Sequence, residues 1–225
     1  MNEQHLRNDI VAHARSLFNR GLSPGTSGNM SVRTGDTILV TPTGKGFGAL
    51  SPDSISKISD SGEHISGPAP TKETFLHLAW YQANPADHAV VHLHSPKAAA
   101  LACLADLDPD EVIPPLTPYF VKLLGPVPLI GYRHPGDRRL GDDILGAARG
   151  CIGVLLANHG SVTGGINLDN AVAAAEEFEA AAGIFLCIGN LKANCLDRGT
   201  AAELNHRYMN KQDSTAIMEK GRFDA

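Results

Sequence analysis

The stretch PTKETFLHLAWYQANPADHAVVHLHSP, residues 70–96, holds a helix pattern, a break and a strand pattern in order. Phe75, Leu78, Ala79 and Tyr81 recur at helical spacing, and Thr71 after Pro70 is the expected N-cap. HAVVHLHS, residues 88–95, then reads as a strand that is apolar until it reaches His92 and His94. Side chains at i and i+2 of a strand share a face, so the two imidazoles are expected within reach of one ion. The pair also suits a half-buried strand that carries two polar residues and no metal.

A third histidine shifts that balance. CIGVLLANHG, residues 151–160, reads as a second buried strand ending at His159. Two buried strands that deliver three histidines and leave a fourth position open match the catalytic pattern for zinc. Calcium and magnesium favour oxygen donors instead. Glu73 lies in the first turn of the predicted helix leading into the histidine strand. A carboxylate there can move protons for a metal site, or simply complement the helix dipole.

Outward from this region the chain alternates helices and strands. Residues 4–19 place Leu6, Ile10, Val11, Ala14, Leu17 and Phe18 on one helical face, and Gly21 ends the helix. GLSPGTSGNMSVR, residues 21–33, reads as a loop, and TILVTP, residues 37–42, as a strand. A glycine-rich turn follows at 41–55, and residues 59–73 read as a hairpin leading to a loop. A short helix is expected from about Pro96 to Ala105, then proline-rich loops around short strands over 108–137. Residues 138–150 read as helical, and 167–191 as a long helix starting at Asn167 or Asp169. The tail from Gly199 reads as helical as well. The pattern predicts one domain over residues 1–225, a three-layer α/β/α sandwich with a mixed or antiparallel sheet. No G-x-G-x-x-G turn opens a helix, and no internal repeat is present.

The composition is that of a folded soluble protein, with 43% hydrophobic and 19% charged residues over 225 positions. The net charge of -5 and the lack of a basic stripe argue against a nucleic-acid partner. No segment has the apolar length of a membrane span, and the N-terminus lacks a signal-peptide core, so a cytoplasmic location is expected. Cys103, Cys151, Cys187 and Cys195 form no C-x-x-C pair and read as reduced, mostly buried thiols, with Cys103 and Cys187 in the core. His134, Asp137, Arg138 and Arg139 read as a solvated turn and helix start.

Four segments, taken in order and spacing, resemble the class II aldolase/adducin family: GTSGNMSVR (25–33), TPTGKGF (41–47), PTKETFLHLAWYQANPADHAVVHLHSPKAAALA (70–102) and VLLANHGSVTGG (154–165). The resemblance runs from about residue 5 to residue 190. It implies an α/β/α sandwich around a largely antiparallel sheet, assembled as a homotetramer with sites between neighbouring subunits. It carries zinc ligation onto His92, His94 and His159, with one zinc per subunit and manganese or cobalt able to substitute. Glu73 matches the acid/base, which also ligates the resting metal. Ser27, Gly28 and Asn29, then Thr43 and Gly44, then Thr71 and Lys72 match three pieces of a phosphate pocket. The chemistry of those pieces suits an anion, because small residues let backbone N–H groups approach and a helix N-terminus adds positive potential.

Lys72 departs from the serine common among the family's sugar-phosphate aldolases. PTKE and the region of residues 114–137 resemble instead the subgroup of 3-oxo-tetronate 4-phosphate decarboxylases. There Tyr119 falls at about the place of a proton-donating tyrosine, or else packs as an ordinary aromatic. The implied reaction is zinc-dependent decarboxylation of 3-oxo-tetronate 4-phosphate to dihydroxyacetone phosphate and CO2 through a stabilised enediolate. The small phosphorylated sugar acid would be the partner, with no nucleic acid and no membrane. The alternative is an L-fuculose-phosphate-type aldolase; an epimerase would carry an aspartate near Tyr119. A non-catalytic adducin-like assembly module is expected to lack the zinc histidines retained here. His206 and Tyr208 are candidate contributors to a neighbouring site.

Overall fold

The computed structural model describes residues 2–207. It contains one eight-stranded sheet, flanked by helices on both faces. The elements are α1 (Glu3–Asn19), β1 (Asn29–Thr34), β2 (Thr37–Val40), β3 (Ser56–Ser59), β4 (His64–Ser66), α2 (Thr74–Ala83), β5 (Ala89–Leu93), α3 (Pro96–Ala102), α4 (Pro118–Leu123), β6 (Leu129–Ile130), α5 (Arg139–Ala147), β7 (Gly153–Leu156), β8 (Gly160–Gly165) and α6 (Leu168–Ile188). The strand order is β4-β3-β2-β1-β5-β8-β7-β6. Every neighbouring pair is antiparallel except β6–β7. The expected largely antiparallel α/β/α sandwich is therefore the observed architecture.

Strand alternation assigns the two faces. Ala89, Val91 and Leu93 of β5, with Met30 and Val32 of β1, pack under α1 and α6. Val90 packs on the other side, with Ile38, Val40, Val154 and Val162, beneath α2 and α5. A third apolar cluster joins α3, α4 and α6 through Leu101, Phe120, Phe178 and Ala182. Because successive strand residues point to opposite faces, His92 shares the face of Val90 and looks toward α2.

β1 and β8 lie where the sequence pattern shows no strand, and β3 fills residues 56–59 between the expected turn and hairpin. β1 falls inside the predicted loop 21–33, and its polar residues are placed by pairing: Asn29 lies opposite His92 and Ser31 opposite Val40 and Val90. β8 reads GSVTGG, too glycine-rich for a strand pattern, yet it pairs with β5 and β7. Its glycines answer to close packing. A Cβ on Gly160 would run into the Leu93 carbonyl oxygen, and one on Gly164 into the Trp80 indole.

Other expectations shift by a few residues. The second helix begins at Thr74 instead of directly after Thr71. An isolated bridge pairs Pro42 with Pro70, and the Thr71 N–H donates to the Thr41 carbonyl at 3.1 Å, so the backbone there stays extended. Thr71 then holds a turn: its carbonyl accepts from the Thr74 N–H at 3.3 Å and from Thr74 Oγ1 at 2.7 Å. The proline-rich region contains α4 as well as the short strand β6, with Thr117 capping α4 through the Phe120 N–H at 3.1 Å. Asn167 is the cap of α6, accepting from the Asn170 N–H at 2.9 Å.

The cysteines correct the expectation of buried thiols. Cys103, Cys187 and Cys195 are exposed and Cys151 is half-buried. Cys103 ends α3, one residue past the last buried position, Ala102. The buried face of α6 stops at Gly183, so Cys187 lies beyond it in the last turn. Residues 198–207 are helical, as expected of the tail. Tyr208 lies outside the described residues. No helix among the described residues is long and apolar enough to cross a membrane.

Candidate active site

Four side chains from three segments converge at one end of the sheet. β5 delivers His92 on its α2 face, and His94 follows one residue past the strand, two positions on. Their Nε2 atoms come within 2.9 Å of each other. His159 arrives from the tight turn between β7 and β8 and not from a strand end. Asn158 takes the left-handed conformation there (φ 55°), which asparagine tolerates better than most residues. The His159 N–H closes the turn onto the Leu156 carbonyl at 3.1 Å. The three imidazole centroids form a triangle with sides of 4.7, 4.8 and 4.9 Å. Glu73, at the start of α2, completes the group. Its Oε2 lies 3.5 Å from His92 Nε2 and its Oε1 3.5 Å from His159 Nε2. One ligand atom from each of the four residues lies within 4.8 Å of the others.

Hydrogen bonding and burial prepare these groups as metal donors. The Ser161 carbonyl can only accept, so at 2.9 Å it fixes the His92 proton on Nδ1. Nε2 is then left with its lone pair facing the centre, the tautomer that binds a metal. Burial pushes His92 down to about 3. Burial also lowers His94 and His159, in part against the attraction of Glu73. For Glu73, burial acts to raise the carboxyl, but the hydrogen bond from the Asn29 amide helps to hold it below the ordinary carboxylate range. Three neutral imidazoles and one carboxylate are a zinc donor set.

A pH dependence follows. Burial pushes His92 to about 3 and, beside it, His77 to about 4 from an ordinary 6.5. Below pH 6.5 the unfolded chain takes up protons that the folded chain does not, so stability falls as pH falls. Each group adds at most about 1.4 kcal/mol per pH unit, the limit where the unfolded ring is protonated and the folded one is not. Urea denaturation of the zinc-free protein is expected to show a clear loss of stability from pH 6.5 toward 4. A flat profile would contradict the buried, neutral state of these two rings.

The loops expected to bind an anion lie side by side next to this centre. The Pro42–Pro70 bridge, the Thr43 N–H donating to the Ala69 carbonyl at 3.0 Å and the Thr71 N–H on Thr41 bring TPTG and PTKE side by side. Gly46 backs against the Gly25 carbonyl, which draws in the loop carrying Ser27 and Gly28. Gly28 has φ 80°, and a Cβ there would stand 3.1 Å from the His92 carbonyl oxygen. Thr43, Gly44 and Lys72 are exposed, and Ser27, Gly28 and Thr71 are half-buried. Asn29 stands apart from these loops. It is buried, its Nδ2 donates to Glu73 Oε2 at 2.6 Å, and its Oδ1 lies 2.6 Å from His77 Nε2.

Two residues complete the inventory. Tyr119, in the first turn of α4, is 67% exposed and stands over Lys122, with Nζ 5.9 Å from the ring centroid. Among the described residues no hydrogen bond joins it to Glu73 or the histidines. His77 is a residue the sequence reading passed over: it sits on α2 one turn beyond Glu73, fully buried. Its signal is a polar residue inside the apolar stripe of a helix.

A metal centre of three imidazoles and a glutamate, on an antiparallel α/β/α sandwich with glycine-rich loops beside it, places the chain in a known class. The chain belongs to the class II aldolase and adducin family, whose N-terminal domain model matches residues 8–186. Within it, the chain is 43% identical to a 3-oxo-tetronate 4-phosphate decarboxylase of Escherichia coli over 203 residues, 90% of this chain and 96% of that protein. It is 32% identical over 188 residues to an L-fuculose phosphate aldolase of the same organism, covering 83% and 85%. Among solved structures, YgbL of Escherichia coli, described as an aldolase, epimerase or decarboxylase, superposes with a TM-score of 0.88 at 42% identity, covering 90% of this chain and 99% of that one.

Proposed function

We propose that the protein is a zinc-dependent carbon–carbon lyase that decarboxylates 3-oxo-tetronate 4-phosphate to dihydroxyacetone phosphate and CO2. The observation that carries the reading is the Glu73, His92, His94 and His159 group beside the loops expected to bind an anion, with Lys72 among them. Its support is the greater likeness to decarboxylases, 39–43% identity, than to fuculose phosphate aldolases, 32–33%.

Glu73, His92, His94 and His159 would hold zinc, which would supply Lewis-acid stabilisation of the negative charge left when the C1–C2 bond breaks and CO2 departs. The chain does the rest. The backbone N–H groups of Gly28 and Gly44, with the hydroxyls of Ser27, Thr43 and Thr71, seat the phosphate. Lys72 adds a positive charge for the phosphate or the carboxylate. Glu73 takes and returns the hydroxyl proton through Oε1, the oxygen that Asn29 does not hold. A proton must then be delivered to C2. Tyr119 is the candidate donor. Exposed and unattached to its own centre, it serves in this reading at the site of a neighbouring subunit in a cytoplasmic homotetramer.

Lys72→Ala is expected to raise KM about tenfold, the equivalent of about 1.4 kcal/mol of lost binding, and to change kcat far less. Steady-state kinetics with unchanged KM and kcat would remove Lys72 from the pocket. The decarboxylase and aldolase readings separate by product. CO2 release from both enantiomers of 3-oxo-tetronate 4-phosphate is compared with aldehyde release from L-fuculose 1-phosphate. Preferred aldehyde release would replace the decarboxylase reading with the aldolase one.

A further inference from the structure

Behind Glu73 runs a buried chain of polar groups that the metal and phosphate roles do not use. Glu73, His77 and Tyr81 recur every four residues, so they share one face of α2. They meet Asn29 and Ser31, which alternation turns to the same side of β1 together with Arg33, whose guanidinium lies over the Tyr81 ring. Asn29 Nδ2 donates to Glu73 Oε2 at 2.6 Å, and Asn29 Oδ1 lies 2.6 Å from His77 Nε2. His77 Nδ1 lies 2.8 Å from Ser31 Oγ, which lies 2.8 Å from the Tyr81 hydroxyl. Asn29, Ser31, His77 and Tyr81 are all buried, at 4%, 0%, 0% and 4% exposure.

With the His77 ring neutral, one arrangement of protons satisfies the chain. The Glu73 carboxylate accepts, so Asn29 must present its NH2 there and its carbonyl oxygen to His77. His77 must then carry its proton on Nε2 and accept at Nδ1 from the Ser31 hydroxyl. Ser31 in turn accepts from Tyr81. Burial, which pushes His77 down to about 4, keeps the ring neutral and this tautomer unchallenged.

We propose that His77 is a positioning residue for Glu73. Its Nε2–H fixes the Asn29 amide, whose Nδ2–H in turn pins Glu73 Oε2 and leaves Oε1 free to exchange the proton. A buried network can be satisfied for packing alone, but such a network has no need to end on the one carboxylate of the metal group. The inference rests on the role given to Glu73 above, so its test needs readouts that stand without turnover.

The test compares His77→Gln, whose side-chain amide keeps a donor near the place of Nε2, with His77→Leu, which fills the space without one. At saturating zinc His77→Leu is expected to lose about 10- to 100-fold in kcat with KM held within about threefold. His77→Gln should recover most of the loss. Competition with a chelator should show weaker zinc binding in the leucine variant and near-native binding in the glutamine variant. Nitrogen NMR of the zinc-free native protein should show His77 neutral with its proton on Nε2. A proton on Nδ1 overturns the proposal. So does native kcat and zinc affinity in His77→Leu, or an equal loss in both variants, which is what a packing role predicts. Should His77→Leu fail to fold, the tautomer and the glutamine variant still decide. If the native enzyme releases no CO2, the assigned reaction fails, and the zinc and NMR measurements judge His77 separately.

Discussion

Replacing His159 with alanine is expected to give a folded chain that does not retain zinc and turns over less than about a thousandth as fast as the native enzyme. His159 is the best of the three histidines for this experiment. Its side chain is 18% exposed and sits on a turn, whereas His92 is wholly buried and bonded to the Ser161 carbonyl. Loss of the imidazole therefore removes a ligand without opening a large core cavity. The remaining donors, two neutral imidazoles and one carboxylate, still converge but would leave a four-coordinate metal one donor short. Metal analysis after gentle purification, together with melting temperature, separates loss of the metal from loss of the fold. A His159→Ala protein that kept zinc at one per chain and native turnover would show that the turn between β7 and β8 is not part of the centre.

Glu73→Gln is expected to lower kcat by about 100- to 10,000-fold, the range for losing a positioned acid/base. The substitution is nearly isosteric, so Asn29 Nδ2 can still find the side-chain oxygen at the place of Oε2. The amide neither accepts a proton at working pH nor carries the charge that now balances the metal group. KM should move little, because the loops proposed to seat the phosphate carry other residues. The sharpest check is kcat measured with zinc restored to full occupancy, since a carboxylate that also ligates would weaken zinc retention. Undiminished kcat at full zinc occupancy would confine Glu73 to a ligand role.

The ligands were legible in the sequence because their chemistry is local. A two-residue spacing on a strand forces His92 and His94 to one face, and HG after an apolar run marks His159. The sheet's largely antiparallel order followed from the family likeness, and the pairings bear it out. What escaped was whatever depends on partners distant in sequence. β1 carries Asn29, Ser31 and Arg33, which look like loop residues until α2 supplies His77 and Tyr81 to meet them. β8 hides behind its glycines, since the need for them lies in Leu93 and Trp80 across the sheet. His77 was passed over because a helical reading scores it as a polar interruption. Its worth appears only when Asn29, 48 positions earlier, is seen against it. The cysteines misled for the reverse reason: thiol burial is a tendency of the residue type, and the ends of α3 and α6 override it.

One titration tests zinc-dependent decarboxylation most directly. Zinc is added stepwise to metal-free protein while CO2 release from 3-oxo-tetronate 4-phosphate is followed. The expected result is no release without metal and a rate that climbs in proportion to zinc until one equivalent per chain is bound. Full CO2 release from the metal-free chain, or none at any zinc level with either enantiomer, would contradict it.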